Sequence, residues 1–237
     1  MSNFKDILVN GIKNFEINLS EEDVNKFIKY KDMLKDWNEK INLTAITESE
    51  SIAVKHFIDS LSVLKFCKIE KNSKLIDIGT GAGFPGVPIK IINKEVKLTL
   101  LDSLNKRLVF LNELMKELGL NAEIIHSRAE DGARNNLLRE KFDFAISRAV
   151  APLNVLAEYC LPYVKLSGKF VAMKGPEYEE DLKNAENAIK LLGGEVESIN
   201  KVQLPDKSRR TIIIIKKIDL TNEKYPRKGT KISKKPL

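Results

Sequence analysis

The 237-residue chain is poor in the residues that build metal centres and disulfide frameworks. Its two cysteines, Cys67 and Cys160, each lie inside an apolar segment, which argues against a disulfide framework and fits a reducing, cytoplasmic setting. Its two histidines, His56 and His126, are far from each other and from either cysteine, so no metal-ligand spacing is present. No apolar run approaches the roughly 18 residues of a membrane-spanning helix, and the opening MSNFKDILVN is too polar for a secretory signal. The expectation is a cytoplasmic protein with no metal and no membrane partner.

What the chain does have is enough apolar residue, 43%, to bury one sizeable core. Its charge is unevenly placed. Residues 201–237 hold 12 Lys or Arg against 3 acids, or +9, whereas residues 1–200 hold 28 against 30 and are nearly neutral. The basic character therefore belongs to the C-terminal end, as expected of an anionic partner engaged at one edge.

The densest signal is KLIDIGTGAGFPG, from Lys74 to Gly86. Leu75, Ile76 and Ile78 read as a fully buried parallel strand. Gly79, Gly81, Gly83 and Gly86 then read as a loop that turns sharply and admits a ligand where a Cβ would clash. Before this stretch the sequence is helical, with Ser20 as the N-cap of a helix to about Lys40 that carries Val24, Phe27, Ile28, Lys31, Leu34 and Trp37 on one face. Thr47 with Glu50 three residues on predicts a second helix through Phe57, Leu61 and Leu64.

After it, strands are expected at 74–79, 97–102, 122–127, 142–147 and 168–174, with helices at 86–93, 104–118, 130–138, 153–164 and 177–192. This alternation predicts a doubly wound parallel sheet. Two last strands, 195–204 and 209–218, are joined only by the Leu204–Ser208 turn and must be antiparallel. The expected organisation is a helical cap (1–66), a main α/β body (67–220) and a basic tail (221–237) that is packed on or extends from the body.

GAGFPG satisfies GxGxxG, a weak pattern by itself. Pro85 and Pro88 remove amide donors, Asp77 precedes the loop, and the Lys-Ser/Thr pair of a phosphate loop is missing, so an anion is disfavoured. Acids recur at the strand ends instead: Asp77, Asp102, Glu130 and Asp131. Such a crevice suits a cationic adenosine compound, and S-adenosylmethionine meets that description. Asp102, 23 residues past Gly79, is placed to hold a ribose diol, and Glu130 lies near where an adenine would be read. Asp131 reads better as a solvated residue or a helix cap.

DIGTGAGFPGVPIKI resembles the cofactor loop of the bacterial small-subunit ribosomal RNA guanine-N7 methyltransferases, the glucose-inhibited division protein B family. WNEKINLTAI (37–46), HFIDSL (56–61), LLDSLNKR (100–107), RAED (128–131), SRAVAPL (147–153), MKG (173–175), YPRKGT and the terminal KKPL resemble family segments in the family's order. The resemblance implies a class I methyltransferase fold, Rossmann-like with a mostly parallel seven-stranded sheet ending in an antiparallel hairpin, and an N-terminal helical extension. It implies S-adenosylmethionine contacts at Gly79, Phe84, Ala129, Glu130 and Arg148, to which the physical argument adds Asp102. The implied acceptor is guanine N7 in 16S ribosomal RNA or the small-subunit particle, and the protein is expected to act as a monomer.

A ring nitrogen with a free lone pair needs no general base. That agrees with the expectation that neither histidine sits at a strand end next to the loop. Arg148, at the end of the fourth strand, is the positioning residue of choice, for the cofactor carboxylate, a target phosphate or guanine O6. Lys174, at the end of the fifth, is a second candidate for a phosphate. Asn42 and Thr44 lie either over the crevice or in a turn, and Trp37 reads as core. With the resemblance in view, Arg209, Arg210, Lys224, Arg227, Lys228, Lys231, Lys234 and Lys235 are expected to hold RNA backbone. A class I methyltransferase with another acceptor and a non-catalytic RNA-binding assembly protein are the alternatives.

Overall fold

A computed structural model describes residues 4–148 and 151–237. Met1–Asn3 of the expected cap, and Ala149 and Val150 of the SRAVAPL segment, lie outside the described residues.

The N-terminal part is helical: α1 (Phe4–Ile12), α2 (Glu21–Ile41), then α3 (Ser49–Ile52), a π-helical stretch (Ala53–Ile58), α4 (Asp59–Leu61) and a closing 3₁₀ turn (Ser62–Lys65). Ser20 caps α2 as expected, in a reciprocal capping box with Asp23. The cap expected at Thr47 is not used; Glu48 is the N-cap of α3 and makes no side-chain capping bond. On α2 the buried face includes Tyr30, fully buried, rather than the half-buried Lys31 expected there.

The body then runs β1 (Lys74–Ile78), α5 (Gly86–Ile92), β2 (Lys97–Asp102), α6 (Asn105–Leu118), β3 (Glu123–His126), α7 (Ala129–Gly132), β4 (Phe142–Arg148), α8 (Leu153–Cys160), β5 (Val164–Lys174), α9 (Glu179–Leu191), β6 (Gly194–Gln203) and β7 (Arg209–Lys217). The helix expected at 130–138 is only the four-residue α7, followed by turns through Leu138. The sheet has seven strands in the order β3-β2-β1-β4-β5-β7-β6. β7 is inserted antiparallel between β5 and β6, and the pairings among β1 to β5 are parallel.

Successive side chains of a strand point to opposite faces, and the buried strands feed two cores. In β1, Leu75 joins the core under the N-terminal helices, while Ile76 and Ile78 join the core under α8 and α9. In β7, Ile212 and Ile214 go one way and Ile213 and Ile215 the other. An unbroken isoleucine run therefore marks a strand covered on both faces. Trp37 packs edge-on to Phe110, with ring centroids 5.7 Å apart, and belongs to the first core as expected. Cys67 and Cys160 are buried free thiols.

The C-terminal stretch ends in the short helix α10 (Lys231–Lys234), whose Ile232 is buried. Arg227 is clamped within the fold: its guanidinium and its backbone N–H all donate to Glu158 of α8, a fully buried carboxylate. Arg139 donates to the carbonyls of Thr221 and Tyr225, which holds the start of the same segment.

Candidate functional site

The glycine loop is tied from both ends by carboxylates. Asp77 of β1 is fully buried, and its Oδ2 accepts from the Thr80 hydroxyl and from the Gly86 N–H, each at 2.8 Å. Its Oδ1 is buried without a partner, and burial pushes the carboxyl up to about 6. Asp77 does not line the crevice, which corrects the expectation that it faces the ligand; it braces the loop from beneath. A Cβ on Gly86 would meet that carboxylate at 2.8 Å. Gly83 has φ +99, and a Cβ there would lie 2.7 Å from the Tyr30 hydroxyl, which donates to the carbonyl of Ala82.

The crevice opens at the carboxyl ends of β1, β2 and β4, where doubly wound sheets bind ligands. Its volume is about 520 Å³, and its walls bring together all six residues singled out as cofactor contacts: Gly79, Phe84, Asp102, Ala129, Glu130 and Arg148. Asp102 ends β2 nearly buried. It accepts from the Gly81 and Leu104 N–H groups, each at 2.9 Å, and from Arg107 at 3.2 Å. Glu130 is 4% exposed; its nearest cation is Arg128 at 3.9 Å, so its oxygens keep most of their accepting capacity. Ala129 holds its position through its carbonyl, which accepts from the Tyr163 hydroxyl at 2.7 Å. Asp131 is exposed and outside the crevice, in line with its reading as a solvated residue.

At the cap side the ring of Phe84 stacks on His56, with centroids 4.5 Å apart, and on Tyr30, 5.2 Å apart, while the Arg148 guanidinium lies 5.0 Å from the ring centre. His56 is therefore beside the loop, reached from the cap and not from a strand end. The strand order could not reveal it, because it arrives on the π-helical stretch of the cap. Its Nε2 lies 2.8 Å from the Thr44 hydroxyl and its Nδ1 3.1 Å from NH2 of Arg148. Burial, reinforced by the Arg148 charge, pushes its ring down to about 3, so it is neutral at physiological pH. Thr44 and Leu43 line the crevice. Asn42 is the left-handed C-cap of α2, so it is the turn residue of the pair considered.

Arg148 donates from NH1 to Asp59 at 3.2 Å and to the Lys55 carbonyl at 3.1 Å. Its Nε–H and one N–H on NH2 have no partner among the described residues. Asp59 is almost fully buried and also pairs with Nε of Arg210 at 3.3 Å. HFIDSL contained a signal for this arrangement, since His56 and Asp59, three apart on a helix, present one polar face.

His56 and Arg148 also line a neighbouring hollow of about 560 Å³, with Lys55, Asp59, Lys174 and Arg210. Lys174 is tied there to Asp181 at 2.7 Å and to the Ala151 carbonyl at 3.0 Å. Arg209 and Arg210 line a further surface hollow with Lys201. Lys224, Lys228, Lys231, Lys234 and Lys235 are exposed. Arg227 is not a free cation, because of its pairing with Glu158, and this corrects its expected place among residues open to RNA. Among the described residues no cluster of His, Cys, Asp and Glu is arranged to hold a metal, and no helix is long and apolar enough to cross a membrane.

Residues 23–212 match the model of the family described as rRNA small subunit methyltransferase G. Relatives that carry the name "Ribosomal RNA small subunit methyltransferase G" include one from Clostridium botulinum and one from Clostridium kluyveri. The one from Clostridium botulinum is 50% identical over 236 residues, covering 99% of each chain. The one from Clostridium kluyveri is 53% identical over 226 residues, covering 95% of each. Among solved structures, a SAM-dependent methyltransferase from Aquifex aeolicus shares the fold, with a TM-score of 0.56 at 17% identity over 75% of this chain and 97% of that one.

Proposed function

Because this chain belongs to the rRNA small subunit methyltransferase G family, we propose that it transfers a methyl group from S-adenosylmethionine to N7 of a guanine in small-subunit (16S) ribosomal RNA. The observation that carries the site assignment is the single crevice into which Gly79, Phe84, Asp102, Ala129, Glu130 and Arg148 converge. Its donor set fits the cofactor: two carboxylates, Asp102 and Glu130, for an adenosine, and unpartnered N–H groups on Arg148 for an amino-acid carboxylate.

When bound, the cofactor supplies a methyl carbon on a positively charged sulfur, which the N7 lone pair can displace without any proton leaving. The protein therefore has to align rather than deprotonate, and alignment alone can contribute on the order of several kcal/mol. Asp77 and Asp102 hold the loop in shape, the first through Gly86 and Thr80, the second through Gly81. His56 and Arg148, backed by Phe84 on the crevice side, form the wall between the crevice and the cationic hollow beside it. In A-form RNA, guanine N7 faces a deep, narrow groove, so the acceptor is read as an unstacked guanine brought into the site. Residues 1–66 act as a cap over the crevice, residues 67–220 as the catalytic body, and residues 221–237 as a packed tail whose lysines, with Arg209, Arg210 and Lys174, meet phosphates. The enzyme works as a monomer on RNA or on a small-subunit particle.

RNA-dependent conversion of S-adenosylmethionine to S-adenosylhomocysteine tests the reading. Turnover with small-subunit RNA supports it, and turnover that ignores added RNA refutes it.

A further inference from the structure

The hydroxyl of Thr44 is built into the crevice as a group that can only donate. Its oxygen accepts from the Ile46 N–H at 3.0 Å. The second contact is with His56 Nε2 at 2.8 Å, and its direction follows from the other side of the ring. A guanidinium has no acceptor, so NH2 of Arg148 donates and Nδ1 of His56 accepts. The neutral imidazole then carries its proton on Nε2 and donates it to Thr44. Both lone pairs of the hydroxyl are taken, and its own proton has no partner among the described residues. Thr44 shares the crevice wall with Phe84, His56 and Arg148, and its backbone is fixed by its N–H donating to Oδ1 of Asn38 at 2.7 Å.

A free hydroxyl serves a donor or an acceptor equally well, and this one does not. On the edge that carries N7, guanine presents O6, an acceptor, where adenine presents an amino donor. With N7 turned to the methyl group, O6 is the substituent next to the reacting atom, within the reach of a donor on the crevice wall that Thr44 lines. We propose that the Thr44 hydroxyl pairs with O6 of the acceptor base and selects guanine over adenine, with His56 as the positioning residue that keeps it a donor. The inference rests on the N7 reading above. The low proton affinity of the His56 ring keeps the arrangement unchanged across physiological pH.

The test uses RNA substrates in which the target guanosine is replaced by inosine, which keeps O6, or by 2,6-diaminopurine riboside, which has an amino group there. The kcat/KM ratio between the two is measured for the wild type, Thr44→Val, Thr44→Ala and Thr44→Ser, together with cofactor affinity by calorimetry. The wild type and Thr44→Ser are expected to favour inosine. Thr44→Val, and Thr44→Ala which adds no bulk, are expected to lose about tenfold of that preference, as for one net hydrogen bond, with cofactor affinity unchanged. An unaltered ratio in both, or a loss confined to cofactor affinity, overturns the inference. If the wild type places no methyl on guanine N7 at all, the underlying reading falls and the inference with it.

Discussion

NH2 of Arg148 donates to Nδ1 of His56 across 3.1 Å, and both side chains lie against the ring of Phe84 in the glycine loop. This hydrogen bond joins the end of β4 to the helical cap at the point where the crevice meets the cationic hollow. A change in Arg148 consequently has two effects. Arg148→Ala leaves the buried Asp59 with Arg210 as its remaining cation, so a loss of stability is mixed with any loss of turnover. Arg148→Lys keeps the charge but not the fork of donors. We expect Arg148→Lys to stay folded by thermal unfolding and to lose turnover by roughly 100-fold; near-normal turnover would remove Arg148 from the site.

Asp77 makes stability depend on pH. Its folded carboxyl is raised to about 6 from an ordinary value of 3.8, chiefly by burial. The folded state thus holds the proton more tightly than the unfolded chain. Its contribution is full below about pH 4 and is lost as pH rises through about 6, on the order of 2–3 kcal/mol at most. Unfolding free energies of the wild type and Asp77→Asn measured from pH 4 to 8 should diverge across that window; parallel curves would mean that Asp77 does not titrate there.

Two loop glycines separate backbone strain from crowding. Gly81 has φ +61 with open space around a would-be Cβ, whereas Gly83 combines φ +99 with the Tyr30 hydroxyl at 2.7 Å and Val87 at 2.8 Å. Gly81→Ala is expected to cost about 1 kcal/mol, and Gly83→Ala about 2–4 kcal/mol with loss of cofactor binding. Equal effects in calorimetry and thermal unfolding would show that the packing of Tyr30 under the loop is unimportant.

The tail divides into a structural and an exposed part. Arg227→Ala should destabilise the fold by about 3 kcal/mol because Glu158 is left buried and unpaired. Replacing Lys228, Lys231, Lys234 and Lys235 with Ala should leave thermal stability nearly unchanged and flatten the salt dependence of RNA binding by about 0.7 in slope for each phosphate no longer neutralised. An unchanged slope would assign these lysines to solvent.

The sheet is legible because its central strands are buried on both faces, so that Leu75, Ile76 and Ile78 and the run Ile212–Ile215 stand out as apolar, and because glycines mark the loop that follows the first of them. Asp102 and Glu130 were legible because strand ends face the crevice. The cap side was not. His56 meets Arg148 across 92 residues, and Tyr30 meets Ala82 across 52, through helices whose docking no local pattern encodes. Asp77 was misread because its partner, the Gly86 N–H, lies in the loop's return rather than at the strand end. The structural part of Arg227 is not legible in the tail, because the acid that anchors it, Glu158, sits 69 residues away on the buried face of α8.

The acceptor atom can be identified directly. The protein is incubated with S-adenosylmethionine and, in separate reactions, with naked small-subunit RNA, a partially assembled particle and the complete subunit, after which the RNA is digested and its nucleosides separated by mass. 7-Methylguanosine is expected in at least one of the three, formed roughly 100-fold more slowly when Arg148→Lys replaces the wild type. Methyl groups found only on another atom, or in no RNA at all, would contradict the N7 assignment.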